Sequence, residues 1–219
     1  MRISIRLISV FFLFILTNSS KAQFVTLPDA DFVTWLQGHG FAGCLSGNQM
    51  DTTCFAITSS TAVICTTESI SDLTGIQYFD NLQNLKCNGN QLTTLPPLPN
   101  GLLFLTCSSN DLISLPALPP SLYTIDASSN ELYGLPALPL TLTELLVSNN
   151  NLLSIPALPP ALRKIICDFN QITTLPALPA TLEYLQCQFN DIQAIPALPP
   201  GLKDLKYGNN LVGNNVPPH

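Results

Sequence analysis

Hydrophobic and polar positions along this chain recur with a period of twenty residues. Asn90, Asn110, Asn130, Asn150, Asn170, Asn190 and Asn210 mark the period, each preceded five positions earlier by Leu85, Leu105, Ile125, Leu145, Ile165, Leu185 or Leu205. A unit reads Leu-x-x-Leu-x-Cys-x-x-Asn-x-Leu-x-x-Leu-Pro-x-Leu-Pro-x-x, and copies start at Leu82, Leu102, Leu122, Leu142, Leu162, Leu182 and Leu202. A degenerate copy comes first, in which Val63-Ile-Cys65 aligns with Leu85-Lys-Cys87. Ile70, Leu73 and Ile76 continue its apolar pattern, and Glu68 stands where the Asn is expected. A fixed period of this length predicts one small unit stacked about eight times, a repeat solenoid. The functional question becomes what its long face touches.

Each unit has two limbs. In Leu102-Leu-Phe-Leu105-Thr-Cys107, Leu105 and Cys107 alternate with polar or variable positions, the pattern of a short strand buried on one side. So short a strand gains its hydrogen bonds only by stacking in register with its neighbours. The Asn follows where the chain turns, and its amide can satisfy backbone groups there or bond its stacked copies. The return limb, from Leu95-Pro-Pro-Leu-Pro99 to Ile195-Pro-Ala-Leu-Pro199, is rich in proline. Proline removes donors and disfavours the helical region for the residue before it, so this limb is expected to be extended and polyproline-like, without helix.

Residues 23–60 have another composition and predict an N-terminal cap. Asp29 reads as a helix N-cap, Phe32, Trp35 and Leu36 fall on one face, and Gly38 and Gly40 end the helix. A solenoid needs its open end covered, so these aromatics read as cap core. The repeats occupy 61–210, and 211–219 form a polar tail.

The first 22 residues carry a targeting pattern. Arg2 and Arg6 precede the apolar run Leu7 to Leu16, and small or polar residues follow to Ala22, where cleavage is expected. A run of this length fits a signal peptide, whereas spanning a bilayer takes about 20 apolar residues. The chain is therefore expected to be exported, to the cell surface or beyond it, with no membrane insertion. Removing Arg2, Arg6 and Lys21 leaves five basic residues against fourteen acidic ones. Arg163-Lys164 and Lys203/Lys206 are the only basic groupings left. A surface that tracks phosphates needs clustered Lys and Arg, so neither nucleic acid nor an anionic membrane is an expected partner.

The seven cysteines fall into two classes. Cys65, Cys87, Cys107, Cys167 and Cys187 share one repeat position with Ala127, Val147 and Tyr207, which reads as a small buried apolar site. Side chains pointing the same way from strands about 4.8 Å apart are poorly placed for bridges, so buried thiols are expected. Cys44 and Cys54 lie outside the repeat, and in an exported chain they are expected to form a disulfide.

The Leu-x-x-Leu-x-Cys-x-x-Asn-x-Leu frame followed by Leu-Pro-x-Leu-Pro resembles bacterial leucine-rich repeats of the twenty-residue class, found in secreted effectors of enteric pathogens. Leu27-Pro-Asp-Ala-Asp-Phe32 and Ile70-Ser-Asp-Leu-Thr-Gly-Ile76-Gln-Tyr-Phe79 look more like exported leucine-rich proteins of Bacteroidota. The resemblance covers roughly residues 61 to 210 and implies the fold strongly. It implies function weakly, because the fold hosts many unrelated partners. Some of those effectors carry a C-terminal ubiquitin ligase domain, and Bacteroidota relatives often end in a sorting domain. Neither pattern is visible before His219, so ligase activity is not expected to carry over.

Catalytic patterns are lacking. His39 lies between glycines and His219 is the last residue, and neither has a base, orienter or metal partner nearby in sequence. Asp29 and Asp31 read as helix capping rather than calcium ligands. No enzyme activity, cofactor or metal is expected.

The strand face carries the better signal. Phe104, Thr124, Glu144, Lys164, Tyr184 and Asp204 form one outward row; Lys86, Thr106, Asp126, Leu146, Ile166, Gln186 and Lys206 form the next. Phe169 and Phe189 stand just before the Asn. Leu146, Ile166, Phe169, Tyr184 and Phe189 thus form a candidate apolar patch over three units, edged by Glu144, Lys164 and Asp168, with Phe104 as a further contact candidate. The alternative is that the two phenylalanines pack together and merely seal the stack. A face of about 34 by 17 Å covers near 600 Å², short of the ~800 Å² that a standard interface buries per partner. The expected role is a non-catalytic, monomeric binding module for a protein, or a peptide or glycan. The other reading that stays open is the recognition part of a larger effector or enzyme.

Overall fold

The computed structural model describes residues 23–211; the expected signal segment and residues 212–219 lie outside them. The repeats form a parallel eight-stranded sheet in which every strand follows its predecessor in space as in sequence. The strands are β4 (Ala62–Ile64), β5 (Asn84–Lys86), β6 (Phe104–Thr106), β7 (Thr124–Asp126), β8 (Glu144–Leu146), β9 (Lys164–Ile166), β10 (Tyr184–Gln186) and β11 (Asp204–Lys206). Pairing is in register at a twenty-residue offset from β5 onward, for example Leu145 with Ile165 and Ile165 with Leu185. Three-residue strands cannot persist alone, and the stack supplies their hydrogen bonds.

Periodic apolar positions build one continuous core. Leu102, Leu105, Cys107 and Leu112 are buried in one unit, and Leu142, Leu145, Val147 and Leu152 repeat the arrangement in another. Burying each leucine contributes about 2 kcal/mol. The return limbs contain no helix, as proline dictates. The exception is the degenerate first unit, which lacks the Leu-Pro phrase and forms a 3-10 turn over Ile76–Tyr78 after Gly75, whose φ is 112°. A Cβ on Gly75 would come within 2.7 Å of the Leu27 side chain, so the glycine permits both the turn and the close approach of the cap.

The Asn column holds the units together. Asn110 Oδ1 accepts from Leu92 N at 3.0 Å, and its Nδ2 donates to the carbonyls of Cys87 (3.0 Å) and Cys107 (3.1 Å). Asn130, Asn150, Asn170, Asn190 and Asn210 repeat the pattern. The amides bond backbone of their own and the preceding unit rather than one another, which corrects the expectation of side-chain pairing between stacked copies. A second device was not foreseen. The Ser121, Thr141 and Thr181 hydroxyls each lie within hydrogen-bond reach of two carbonyls about twenty residues earlier, as Ser121 does of Asn100 and Leu102.

At the N-terminal end, β1 (Phe24–Thr26), β2 (Leu45–Ser46) and β3 (Gln49–Asp51) form a small antiparallel sheet in the order β1-β3-β2. Helix α1 (Ala30–Gly38) begins at Asp29, whose Oδ1 accepts from Phe32 N at 2.7 Å. Its Oδ2 accepts from Ser71 N (2.7 Å) and Ser71 Oγ (2.6 Å), so one carboxylate caps the helix and ties it to the first repeat. Phe32, Trp35 and Leu36 are buried, as the i, i+3, i+4 spacing predicts. A second short helix, α2 (Phe55–Ser59), follows directly after the Cys44–Cys54 disulfide, whose Cα atoms lie 5.6 Å apart. Cys65, Cys87, Cys107, Cys167 and Cys187 are free and buried.

Candidate functional site

The strand pleat aims every second side chain away from the core. On β8 to β10 this brings Leu146 opposite Ile166 and Ile166 opposite Gln186 in one row, and Tyr184 opposite Lys164 in the other. Leu146 and Ile166 are half-buried by their neighbours, and Tyr184 is exposed. Phe104 is exposed too, but it sits on β6, with β7 between it and Leu146. Four of its strand-row companions are polar or charged, so it does not join the patch.

Phe169 and Phe189 stack with ring centroids 4.3 Å apart and planes 7° from parallel, yet remain 49% and 43% exposed. Their backbones are left-handed, with φ of 55° and 54°. Equivalent positions in other units hold Gly89, Ser109, Ser129, Asn149 and Asn209, also at positive φ. The turn therefore needs a left-handed residue and tolerates small ones cheaply. A bulky aromatic there is strained by about 1 kcal/mol or more. The turn itself does not call for an aromatic ring.

Charges rim the patch. Glu183 joins three units, accepting from Arg163 Nη1 at 2.7 Å and Lys203 Nζ at 2.6 Å. Hydrogen bonding from Lys203, then the charges of Lys203 and Arg163, hold its carboxyl below the usual carboxylate range. Lys203 also lies 6.0 Å above the Tyr184 ring. Glu144, Arg163, Lys164, Glu183 and Tyr184 line a cavity of about 300 Å³ at this edge. On the other side Asp168 Oδ1 accepts from Gln188 N at 2.7 Å, and partial burial pushes its carboxyl up.

Nothing in this arrangement supplies a nucleophile with a base. Burial raises the Cys65 and Cys187 thiols to about 12 and pushes the other three up as well, so the column is chemically quiet. Among the described residues no three His, Cys, Asp or Glu side chains are grouped to hold a metal ion.

Several exposed apolar side chains escaped the sequence reading. Ile64, at 51% exposure, opens the strand face beside the cap residues Trp35, His39 and Phe41. Ile113, Tyr133 and Leu153 share one repeat position, and Leu140 replaces the usual Pro or Ala; all are more than half exposed on the return side. Their shared columns were visible in the repeat alignment.

No family model matches the chain, and no curated protein does. Solved structures do. YopM from Yersinia pestis, described as a leucine-rich effector protein, is 34% identical at TM-score 0.60, over 68% of this chain and 48% of YopM. The leucine-rich repeat domain of a Shigella effector is 38% identical at TM-score 0.59, over 64% of this chain and 63% of that domain. The chain is a bacterial leucine-rich repeat protein. The functional domain of InlJ from Listeria monocytogenes, described as including a cysteine ladder, matches in fold alone at 24% identity and TM-score 0.62, over 87% of this chain and 49% of that one. This leucine-rich repeat protein spans less than two thirds of the length of each of the three.

Proposed function

We propose that this leucine-rich repeat protein is an exported, non-catalytic module that binds a protein partner through its strand face. Leucine-rich solenoids present extended surfaces suited to such contacts, and the solved relatives include effector proteins. The observation that carries the reading is the Phe169–Phe189 stack. Two aromatics occupy strained turn positions where neighbouring units use Gly, Ser or Asn, and both remain exposed beside Leu146, Ile166 and Tyr184. Aromatic anchors ringed by charge are the usual energetic centre of an interface. Phe104 would act as a separate, weaker contact. The pattern of residues 1–22 and the Cys44–Cys54 disulfide support export.

Capture from the producing organism's envelope and surroundings tests this reading. The intact protein should retain a partner that Tyr184→Ala and Phe189→Ala variants lose, with thermal midpoints within about 2 °C of the parent. Equal capture by all three forms, or loss of stability without loss of a partner, would overturn it.

A further inference from the structure

The charges of the repeat region are distributed one-sidedly. The six return limbs Leu92–Leu102, Leu112–Leu122, Leu132–Leu142, Leu152–Leu162, Ile172–Leu182 and Ile192–Leu202 contain no Asp, Glu, Lys or Arg. Every charged residue between Leu82 and Lys206 lies on the strand, in the turn after it, or at the position just before it. The return side is neutral, and it is apolar toward its middle units, with exposed Thr93, Thr173 and Gln193 in the outer ones. Ala117, Ala137, Ala157, Ala177 and Ala197 are exposed in one column. Ile113 (51%), Tyr133 (63%) and Leu153 (55%) form a ridge over three adjacent units, and Leu140 is 74% exposed. Two cavities of about 320 and 370 Å³ run between limbs, the first walled by Pro97, Leu98, Pro116 and Ala117 with Asn100 at its edge, the second by apolar side chains alone, among them Leu140.

We propose that this neutral return-limb face is an isologous interface for a second copy of the chain, with Leu140 close to the two-fold axis. Three observations select that occupant. The chain carries fourteen acidic residues against eight basic ones, so two copies repel across any charged surface and meet without that penalty on this one. Leu140 lies on the third of six limbs, so it is central across the limbs and stands toward the end of its own. At its axis a two-fold contact sets each residue against its own copy, and the best-buried anchors gather. The face measures about 24 Å across six limbs by about 25 Å along eight extended residues, or on the order of 600 Å² before corrugation is counted. That is below the ~800 Å² per partner of a standard interface, so a weak, concentration-dependent dimer is expected.

Other occupants fit less well. A reader of polyproline segments would need the spaced prolines, but Pro99, Pro119, Pro159 and Pro199 are buried in the stack. A lipid surface is served by basic residues around the apolar side chains, and this face has none. This interface departs from the expectation of a monomer, and the strand face stays free in the dimer.

Sedimentation velocity of the intact protein from 1 to 200 µM tests the interface. The sedimentation coefficient should rise with concentration from monomer to dimer, more steeply in sodium sulfate. Leu140→Lys sets like charges against each other at the axis and should weaken association at least about tenfold while leaving the thermal midpoint unchanged. Tyr133→Glu is the second variant and should act in the same direction. A monomer throughout that range, or a dimer indifferent to both variants, would overturn the proposal. Co-sedimentation of the monomer with phosphatidylcholine vesicles, lost in Leu140→Lys, would overturn it in favour of lipid.

Discussion

Phe169 and Phe189 lie ring on ring at 4.3 Å while both hold left-handed backbones, so a favourable contact and an unfavourable conformation are joined at one point of the turn column. Aromatic stacking is worth about 1 kcal/mol, and the two strained backbones cost at least as much. Replacing both with the Asn of neighbouring units should therefore leave stability within about 1 kcal/mol of the parent. Chemical denaturation measures this. Any partner held at the strand face should be lost in the same variant.

Asn130→Ala removes an acceptor for Leu112 N at 3.0 Å and donors to the carbonyls of Cys107 and Ala127, both at 3.1 Å. The groups left behind are buried, so the cost should be about 2–4 kcal/mol, several times that of an exposed substitution. Asn130→Asp keeps the acceptor, turns the donors into a charge facing carbonyls, and should be no better. Hydrogen exchange at Leu112 N should accelerate in both.

Asp29 gives the protein an acid-sensitive joint. Burial works to raise its carboxyl, but hydrogen bonds from Ser71 and the Phe32 backbone outweigh this and hold it below its ordinary value of 3.8. A depressed native pKa means stability that is fully present above the unfolded value and lost as pH falls through the folded one. Asp29→Asn should therefore lower the thermal midpoint at pH 7, and the gap from the parent should close as pH falls below 3.8. Asp29→Ala should cost about 2 kcal/mol at pH 7, combining a lost helix cap with a lost tie to the first repeat.

The five free thiols should be silent to a thiol reagent such as dithionitrobenzoate in the native protein and should all react in guanidinium. Each is buried, and burial disfavours the reactive thiolate. Reducing Cys44–Cys54 closes off a different contribution. That loop spans ten residues, and opening it should cost about 2–3 kcal/mol, seen as earlier melting of the cap.

The repeat was almost wholly legible in the sequence because its chemistry has a period. Leu105, Cys107 and Asn110 can each be checked against six other copies, and the structure places them as strand core, buried core just past the strand, and backbone clamp. Cap details without copies were less visible. The N-cap role of Asp29 follows from its place before an amphipathic run, but its bonds to Ser71 cross 42 residues and no local pattern announces them. The strand-face patch was read in outline. Leu146, Ile166 and Tyr184 stand on adjacent strands, whereas Phe104, a further candidate named from its row, is separated from them by β7. The return face was overlooked because proline-rich limbs were read for backbone conformation, while Leu140 and Tyr133 are defined by what their side chains leave uncovered.

The Asn column points one way. Asn90 reaches back to Ile70, Asn110 to Leu92, and Asn210 to Ile192, so each unit is fastened by a side chain that its successor brings. The Oδ1 of each Asn serves the unit before it, while its Nδ2 donates to both that unit and its own. The stack is consequently polar, and loss of one Asn should loosen the turn of the unit before it more than that of the unit after it.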